Sequence, residues 1–529
     1  MIPMKACLSE CLALTLAAGT LASAEMSSPP ASPVWFQPTW SSLQTYQTPE
    51  WFRDAKFGIW AHWGPQCEPE AGDWYARNMY IEGHDQYKAH VVVYGHPSRS
   101  GFKDVIRQWK AEKFDPEKLL AFYKESGAKY FVALANHHDN LDLWDSKFQA
   151  WNSVALGPKR DIVGGWAAAA KKAGLRFGVS VHAARTWAWY EVAQGADKEG
   201  PLAGLPYDGK LTKADGKGQW WEGLDPQGLY EQNHAPKAKP DQAYIDKFFQ
   251  RTRQLIQDYA PDLVYFDDGV LPLRKADEAA GLSLVADYYN ASAKLHGKNE
   301  AVVNTKALNE DQSKALVYDI ERGRADRILS APWQTDTCIG QWHYSRAVYD
   351  KKEYKSAAVV VPMLADIVSK NGNLLLSVPL RRDGMPDEDE MEIVADIGAW
   401  LKVNGEGIYA TRPWTIYGEG PSTMVSEGGK YGGQNDTYAK PLTAEDIRFT
   451  QSQDGSTLYA IVLAIPPGGI VLVKSLAAGS SSRPEPIGRV QVLGVPGDLK
   501  FTRDAQGLHV TLPDKSPCKI AVSLKITKT

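Results

Sequence analysis

Cysteine is scarce in this chain: there are five in 529 residues, and two of them, Cys7 and Cys11, lie at the very start. The other three, Cys67, Cys338 and Cys518, are too few and too scattered for a disulfide framework or a zinc cluster, and at most one disulfide could join them. An excess of charge of one sign is also missing. Lys and Arg number 59 against 63 Asp and Glu, a formal net charge of −4, and no long basic run occurs, which argues against nucleic acid as a partner. Nor is there an uninterrupted apolar segment of roughly 18 residues or more, so no membrane span is expected. The apolar run Leu12 to Leu21 is too short for one. With Lys5 ahead of it and Ala22-Ser23-Ala24 behind, it reads as a secretory signal over residues 1–24. The expected location is secreted or periplasmic, with a mature chain starting near Glu25. Removing the segment deletes one Lys and one Glu and leaves the net charge unchanged.

What the chain does have is aromatic surface, with 18 Trp and 24 Tyr. Flat aromatic faces suit the C–H faces of sugars, while their N–H and O–H groups serve hydroxyls; a large core would use Trp equally well.

From about Trp51 to Gly405, short β-rich runs alternate with longer amphipathic stretches, the pattern of parallel strands joined by crossover helices. Strands are expected at Lys56–His62, Tyr130–Asn136, Arg176–Val181, Leu263–Phe266, Val302–Asn304, Ala315–Ile320, Thr337–Trp342 and Leu374–Val378. Eight is the count of a closed β/α barrel. Helix signals lie between them: Pro116-Glu117 opens a helix, Asp161 caps Ile162–Lys172 ahead of Gly174, and Pro240-Asp241 opens Gln242–Tyr259. Further helices are expected at Lys355–Ser369 and Glu388–Lys402. After Gly405 the chain turns to Gly- and Ser-rich loops and alternating polarity, with a hairpin around Asp454-Gly455, which suggests a β-sandwich of about a hundred residues. The expected fold is therefore α/β, a (β/α)8-like TIM barrel catalytic domain over 25–410 followed by a C-terminal antiparallel β-sandwich over 411–529.

Barrel active sites are assembled at the C-terminal strand ends. Those ends carry His62, then His137-His138-Asp139, His182, Asp267-Asp268, Lys306 and Glu321 in order. A single histidine at a strand end is more often a hydrogen-bonded structural residue, but four on one rim point to a site. Metal binding is the competing explanation, yet the His-x-His and His-x-x-His pairings of strand- and helix-borne ligands are absent, and no metal is expected. Adjacent His137 and His138 would point apart within a regular strand. Asp267 directly follows the buried run Val264-Tyr265-Phe266, and Glu321 follows Leu316-Val317-Tyr318 two strands later. Two rim carboxylates are what glycoside hydrolysis requires, one as nucleophile or base and one as proton donor. The structural alternative has Glu321 pairing with Arg322 or Arg324 and Asp267 capping the next helix.

The ordered motifs carry a resemblance. Trp51-Phe52-Arg53-Asp54-Ala55-Lys56-Phe57-Gly58-Ile59, then His62-Trp63-Gly64-Pro65, Trp74-Tyr75-Ala76-Arg77-Asn78-Met79-Tyr80, Leu143-Trp144-Asp145-Ser146-Lys147, Gly157-Pro158-Lys159-Arg160-Asp161 and Gly372-Asn373-Leu374-Leu375-Leu376 together resemble glycoside hydrolase family 29, the α-L-fucosidases, from about residue 35 to 410. The resemblance implies a retaining exo-hydrolase of terminal α-L-fucose, needing no cofactor and acting on fucosylated glycans. It implies Asp267 as nucleophile and Glu321 as acid/base, with Asp319 and Asp326 as local competitors for the second role. His62, His137, His138 and Trp74 match residues at the fucose pocket. Asp73 stands where the family commonly has Glu, His182 stands in a segment that commonly holds a tyrosine, and Lys306 falls near a family arginine. These departures keep open a related sugar such as an α-L-galactoside or α-L-glucoside, or a sugar-binding homologue without catalysis. Association into a homo-oligomer is also left open.

Overall fold

A computed structural model describes residues 35–422, 441–482 and 485–529. The expected signal over 1–24 lies outside these residues, as does Asn435-Asp436-Thr437, a run that fits the N-glycosylation pattern. Eight parallel strands close into a barrel in sequence order: β1 (Phe57–Ala61), β2 (Tyr130–Asn136), β3 (Arg176–Val181), β4 (Leu263–Gly269), β5 (Val302–Lys306), β6 (Val317–Asp319), β7 (Trp333–Cys338) and β8 (Gly372–Ser377). Closure runs through β1 and β8, where Phe57 to Trp60 pair with Leu374 to Ser377. Nearly every strand residue is buried, as expected when side chains fill the barrel and helices cover its outside. Tyr130 crosses close to β1, and a Cβ on Gly58 would stand 2.4 Å from its ring, so only glycine fits there.

The helices start and stop where their chemistry dictates. Asp161 accepts from the Gly164 N–H at 2.7 Å, and Gly174 ends the helix Ile162–Ala173 in the left-handed region. Asp241 caps Gln242–Tyr259 in the same way, and Asp387 with Glu390 forms a capping box at Glu388–Asn404. The helical layer has one gap. Among the described residues β5 reaches β6 through a single 3-10 turn (Gln312–Lys314), and β6 reaches β7 with no helix. A cavity of about 490 Å³ opens there, lined by Leu308, Tyr318, Ile320, Asp326 and Trp333 among others.

Two antiparallel sheets follow. The larger has the order β13 (Ile487–Val492), β16 (Val522–Lys528), β11 (Thr457–Val462), β10 (Ile447–Gln451), β9 (Arg412–Glu419); the smaller is β12 (Ile470–Val473), β15 (Leu508–Thr511), β14 (Phe501–Arg503). Their inner faces share one core, with Phe449, Leu458 and Leu524 on one side and Val471, Val473 and Val510 on the other. Each such side chain contributes about 1.5–3 kcal/mol of burial. The sheets dock on the barrel through Arg448, whose Nε lies 2.5 Å from Asp366, and through Trp400, which donates to the Ala521 carbonyl at 2.9 Å.

Two expectations need correction. The seventh strand lies at Trp333–Cys338 rather than Thr337–Trp342, and two strands, β9 and β12, were not anticipated. Among the described residues no helix is long and apolar enough to cross a membrane.

Candidate active site

The cavity at the C-terminal end of the barrel is lined by Trp60, His62, Trp74, His137, His138, His182, Arg185, Tyr265, Asp267, Lys306, Glu321, Asp336 and Trp342. Eight of the nine residues singled out from the sequence are therefore brought together. The centre is one cation between two carboxylates: Lys306 Nζ donates to Asp267 Oδ1 at 2.6 Å and to Glu321 Oε2 at 2.6 Å. These two oxygens can be no farther apart than twice that distance.

Asp267 is further enclosed by imidazoles. His182 Nδ1 stands 3.2 Å and His138 Nε2 3.4 Å from its Oδ2. Burial alone would raise the Asp267 carboxyl, but the Lys306 ammonium and the neighbouring His182 ring hold it well below the usual aspartate range. Asp268 turns away and accepts from the Gly269 and Leu273 N–H groups. Neither Asp267 nor Asp268 caps the next helix, whose N-cap position is Leu273 with no side-chain capping bond.

His137 and His138 both reach the cavity because β2 ends at Asn136, so strand alternation does not apply to them; their rings are 4.3 Å apart. Burial lowers the pKa of His62, His137 and His182 and pushes His138 down to about 3. Neutral rings can each donate from one nitrogen and accept at the other, which suits sugar hydroxyls. Trp74 presents a half-exposed indole from a left-handed backbone position, φ 64°, a costly conformation for a bulky residue and of the kind found at ligand clamps.

Asp73 is the residue outside the cavity lining. Its carboxylate accepts from the His343 N–H at 2.6 Å and the Trp342 N–H at 3.2 Å, tying the segment after β7 to the segment before Trp74. Of the two competitors of Glu321, Asp326 lines the outer cavity beside β6. Asp319 is sealed in the barrel, where Gln334 donates to it at 2.7 Å.

Sequence reasoning missed Trp60, Arg185, Tyr265, Asp336 and Trp342. Trp60 and Tyr265 sit within strands and read as core. Asp336, on the misplaced seventh strand, accepts from the Tyr265 hydroxyl at 2.9 Å, and burial raises it to about 6. Burial and the adjacent Asp336 carboxyl raise Asp319 well above the ordinary aspartate range, so the proton that these two buried neighbours share favours Asp319.

A β/α barrel whose C-terminal rim holds two carboxylates on one ammonium, ringed by imidazoles and indoles, defines the class: a glycoside hydrolase. The chain belongs to the α-L-fucosidase family, whose family model matches residues 23–406, while that of the α-L-fucosidase C-terminal domain matches 434–527. The tissue α-L-fucosidase of Homo sapiens is 28% identical over 530 residues, covering 98% of this chain and 96% of its own. The plasma α-L-fucosidase of Homo sapiens is 25% identical, with 94% of each chain covered. The Thermotoga maritima α-fucosidase, solved in complex with fucose, superposes with a TM-score of 0.68 at 26% identity, over 93% of this chain and 100% of its own.

Proposed function

We propose that the chain is a retaining exo-α-L-fucosidase in which Asp267 is the nucleophile and Glu321 the acid/base. The observation that supports this reading is the shared Lys306 contact. It keeps Asp267 anionic for attack and brings Glu321 within reach of the same anomeric centre, at a short separation. Retaining enzymes hold their carboxyls roughly 5–5.5 Å apart, whereas inverting ones leave roughly 6.5–9.5 Å for a water.

Asp267 attacks the anomeric carbon of a terminal α-L-fucosyl unit while Glu321 protonates the departing oxygen, leaving a glycosyl ester on Asp267. The ester carries no charge, so the Lys306 ammonium loses its ion pair with Asp267 and keeps the one with Glu321. Glu321 takes a proton from the incoming water, which attacks the same carbon, frees the sugar with retained configuration and releases Asp267. The neutral histidines hold the hydroxyls, and Trp74 covers the sugar face.

Hydrolysis of an aryl α-L-fucoside beside its galacto and gluco analogues tests the substrate. Asp267→Ala should abolish turnover, with azide restoring part of it as a glycosyl azide. Activity of that variant near the parent's would remove the assignment.

We further take residues 1–24 as an export signal, 25–410 as the catalytic unit and 411–529 as its sandwich. This makes the enzyme secreted or periplasmic, acting on fucosylated glycans. N-terminal sequencing of the exported protein should begin near Glu25.

A further inference from the structure

At the cavity wall, His62, His137 and His343 bring one ring nitrogen each to within 4.8 Å of one another, and all three side chains are buried. Their ring centroids are 4.7 to 5.1 Å apart. Sugar hydroxyls reach His62 and His137 from the cavity side, but His343 is not part of that lining. Neither ring nitrogen of His62, nor Nε2 of His343, has a hydrogen-bond partner among the described residues. Orphaned buried polar atoms are costly and call for an occupant.

We infer that His62, His137 and His343 form a binding site for one first-row transition-metal ion, and that the ion excludes the sugar. The inference rests on the reading of the cavity as a sugar pocket and adds an inhibitory ligand to it. Imidazole nitrogen suits Zn²⁺, Cu²⁺, Ni²⁺ and Co²⁺ over Ca²⁺ or Mg²⁺. Zn–N bonds are about 2.0–2.1 Å long, so the rings must close by about an ångström around the ion. Supporting groups stand behind two of the ligands. Asp73 Oδ1 lies 3.4 Å from His343 Nδ1, and the Gln66 amide lies 2.8 Å from His137 Nδ1. Asp73 can accept the His343 Nδ1 proton, whereas the Gln66 amide, whose carbonyl accepts from the Ala76 N–H, must turn over before it can accept from His137 Nδ1 and leave Nε2 to the metal.

The fourth position opens toward the cavity, where His62 and His137 would otherwise meet hydroxyls. Sugar and ion therefore compete for the same two imidazoles. Asp267 is engaged by Lys306, His182 and His138 and is not one of the three ligands, so the ion is given no part in the displacement.

The test is titration of the EDTA-treated full-length protein with Co²⁺, followed by visible absorption. The expected result is one ion per chain with the intense bands of four-coordinate cobalt, reversed by L-fucose and by EDTA. Asp73→Asn should weaken the ion by roughly 10–100-fold, and His343→Gln by at least as much. Zn²⁺ should inhibit aryl-fucoside hydrolysis competitively. Octahedral bands, affinity unchanged in both variants, or Co²⁺ and L-fucose binding together would overturn the inference. The cobalt spectrum is read without turnover, so absence of fucosidase activity with intact cobalt bands would count against the proposed reaction alone.

Discussion

The Lys306 ammonium lies 2.6 Å from the Asp267 carboxylate, with the two side chains only 5% and 14% exposed. A charge pair so enclosed cannot lose one member cheaply, since the partner is left buried and alone. Lys306→Met should therefore destabilise the fold toward the lower end of roughly 3–5 kcal/mol, because Asp267 keeps some solvent access. The same change removes the cation that keeps the nucleophile ionised, and kcat should fall by roughly 10²–10³-fold. Urea denaturation together with steady-state kinetics checks both halves, and a variant with parental kcat would refute the central role of the ammonium.

Asp73 makes its two bonds to backbone N–H groups of the segment that carries Trp342 into the cavity. Hydrogen bonds to a charged group contribute about 1.5–3 kcal/mol each. Asp73→Ala should let this segment shift and raise KM for an aryl fucoside roughly tenfold or more, with a smaller loss in kcat. A fall in kcat at constant KM would instead assign Asp73 a role in the transition state.

Arg448 on β10 and Asp366 on the barrel helix Ala357–Ser369 are both buried, and Lys370 adds a second cation 2.8 Å from Asp366. Burial works against the Asp366 charge, but Lys370 and Arg448 hold its pKa far below the ordinary range. Arg448→Ala should cost about 3 kcal/mol, softened by the remaining Lys370, and should leave kcat of the folded enzyme unchanged. An unaltered unfolding curve would show that the sandwich does not buttress the barrel through this pair.

Where strands were apolar runs between turn signals, the sequence was sufficient: β2 and β3 fall at their expected limits. The seventh strand was misread because its residues Gln334, Thr335, Asp336 and Thr337 are polar and fully buried. Their partners, Asp319 for Gln334 and Tyr265 for Asp336, come from neighbouring strands and leave no mark in local hydrophobicity. That one slip hid Asp336 and placed Trp342 at a strand end rather than in the loop. It also kept His343 out of view. β9 was missed because it is half-exposed and includes Pro413, an edge-strand feature that weakens any periodic signal. Position on the rim was legible from strand ends, but the choice of Lys306 as the shared cation depended on which neighbours face it across the barrel.

The histidines impose a direction on the acid limb of stability. Burial lowers the folded-state pKa of His62, His90, His137 and His182, and takes His138 to about 3, against an ordinary value of 6.5. As pH falls through about 6.5 the unfolded chain takes up protons that the folded one refuses, so unfolding is favoured progressively. Each histidine contributes up to about 1.4 kcal/mol per pH unit between its folded-state value and 6.5. Asp267 and Asp366 add to the loss only lower, once pH drops through the ordinary aspartate range toward their depressed values. The histidine contribution to Tm should thus be lost from about pH 6.5 downward, partly offset by buried carboxyls such as Asp139 and Asp336, whose values raised to about 6 favour the folded chain as pH falls. A combined His90→Asn and His138→Asn variant should show a shallower fall, because two of the groups that refuse protons are gone. If calorimetry found the same slope in variant and parent, the buried rings would not be what limits acid tolerance.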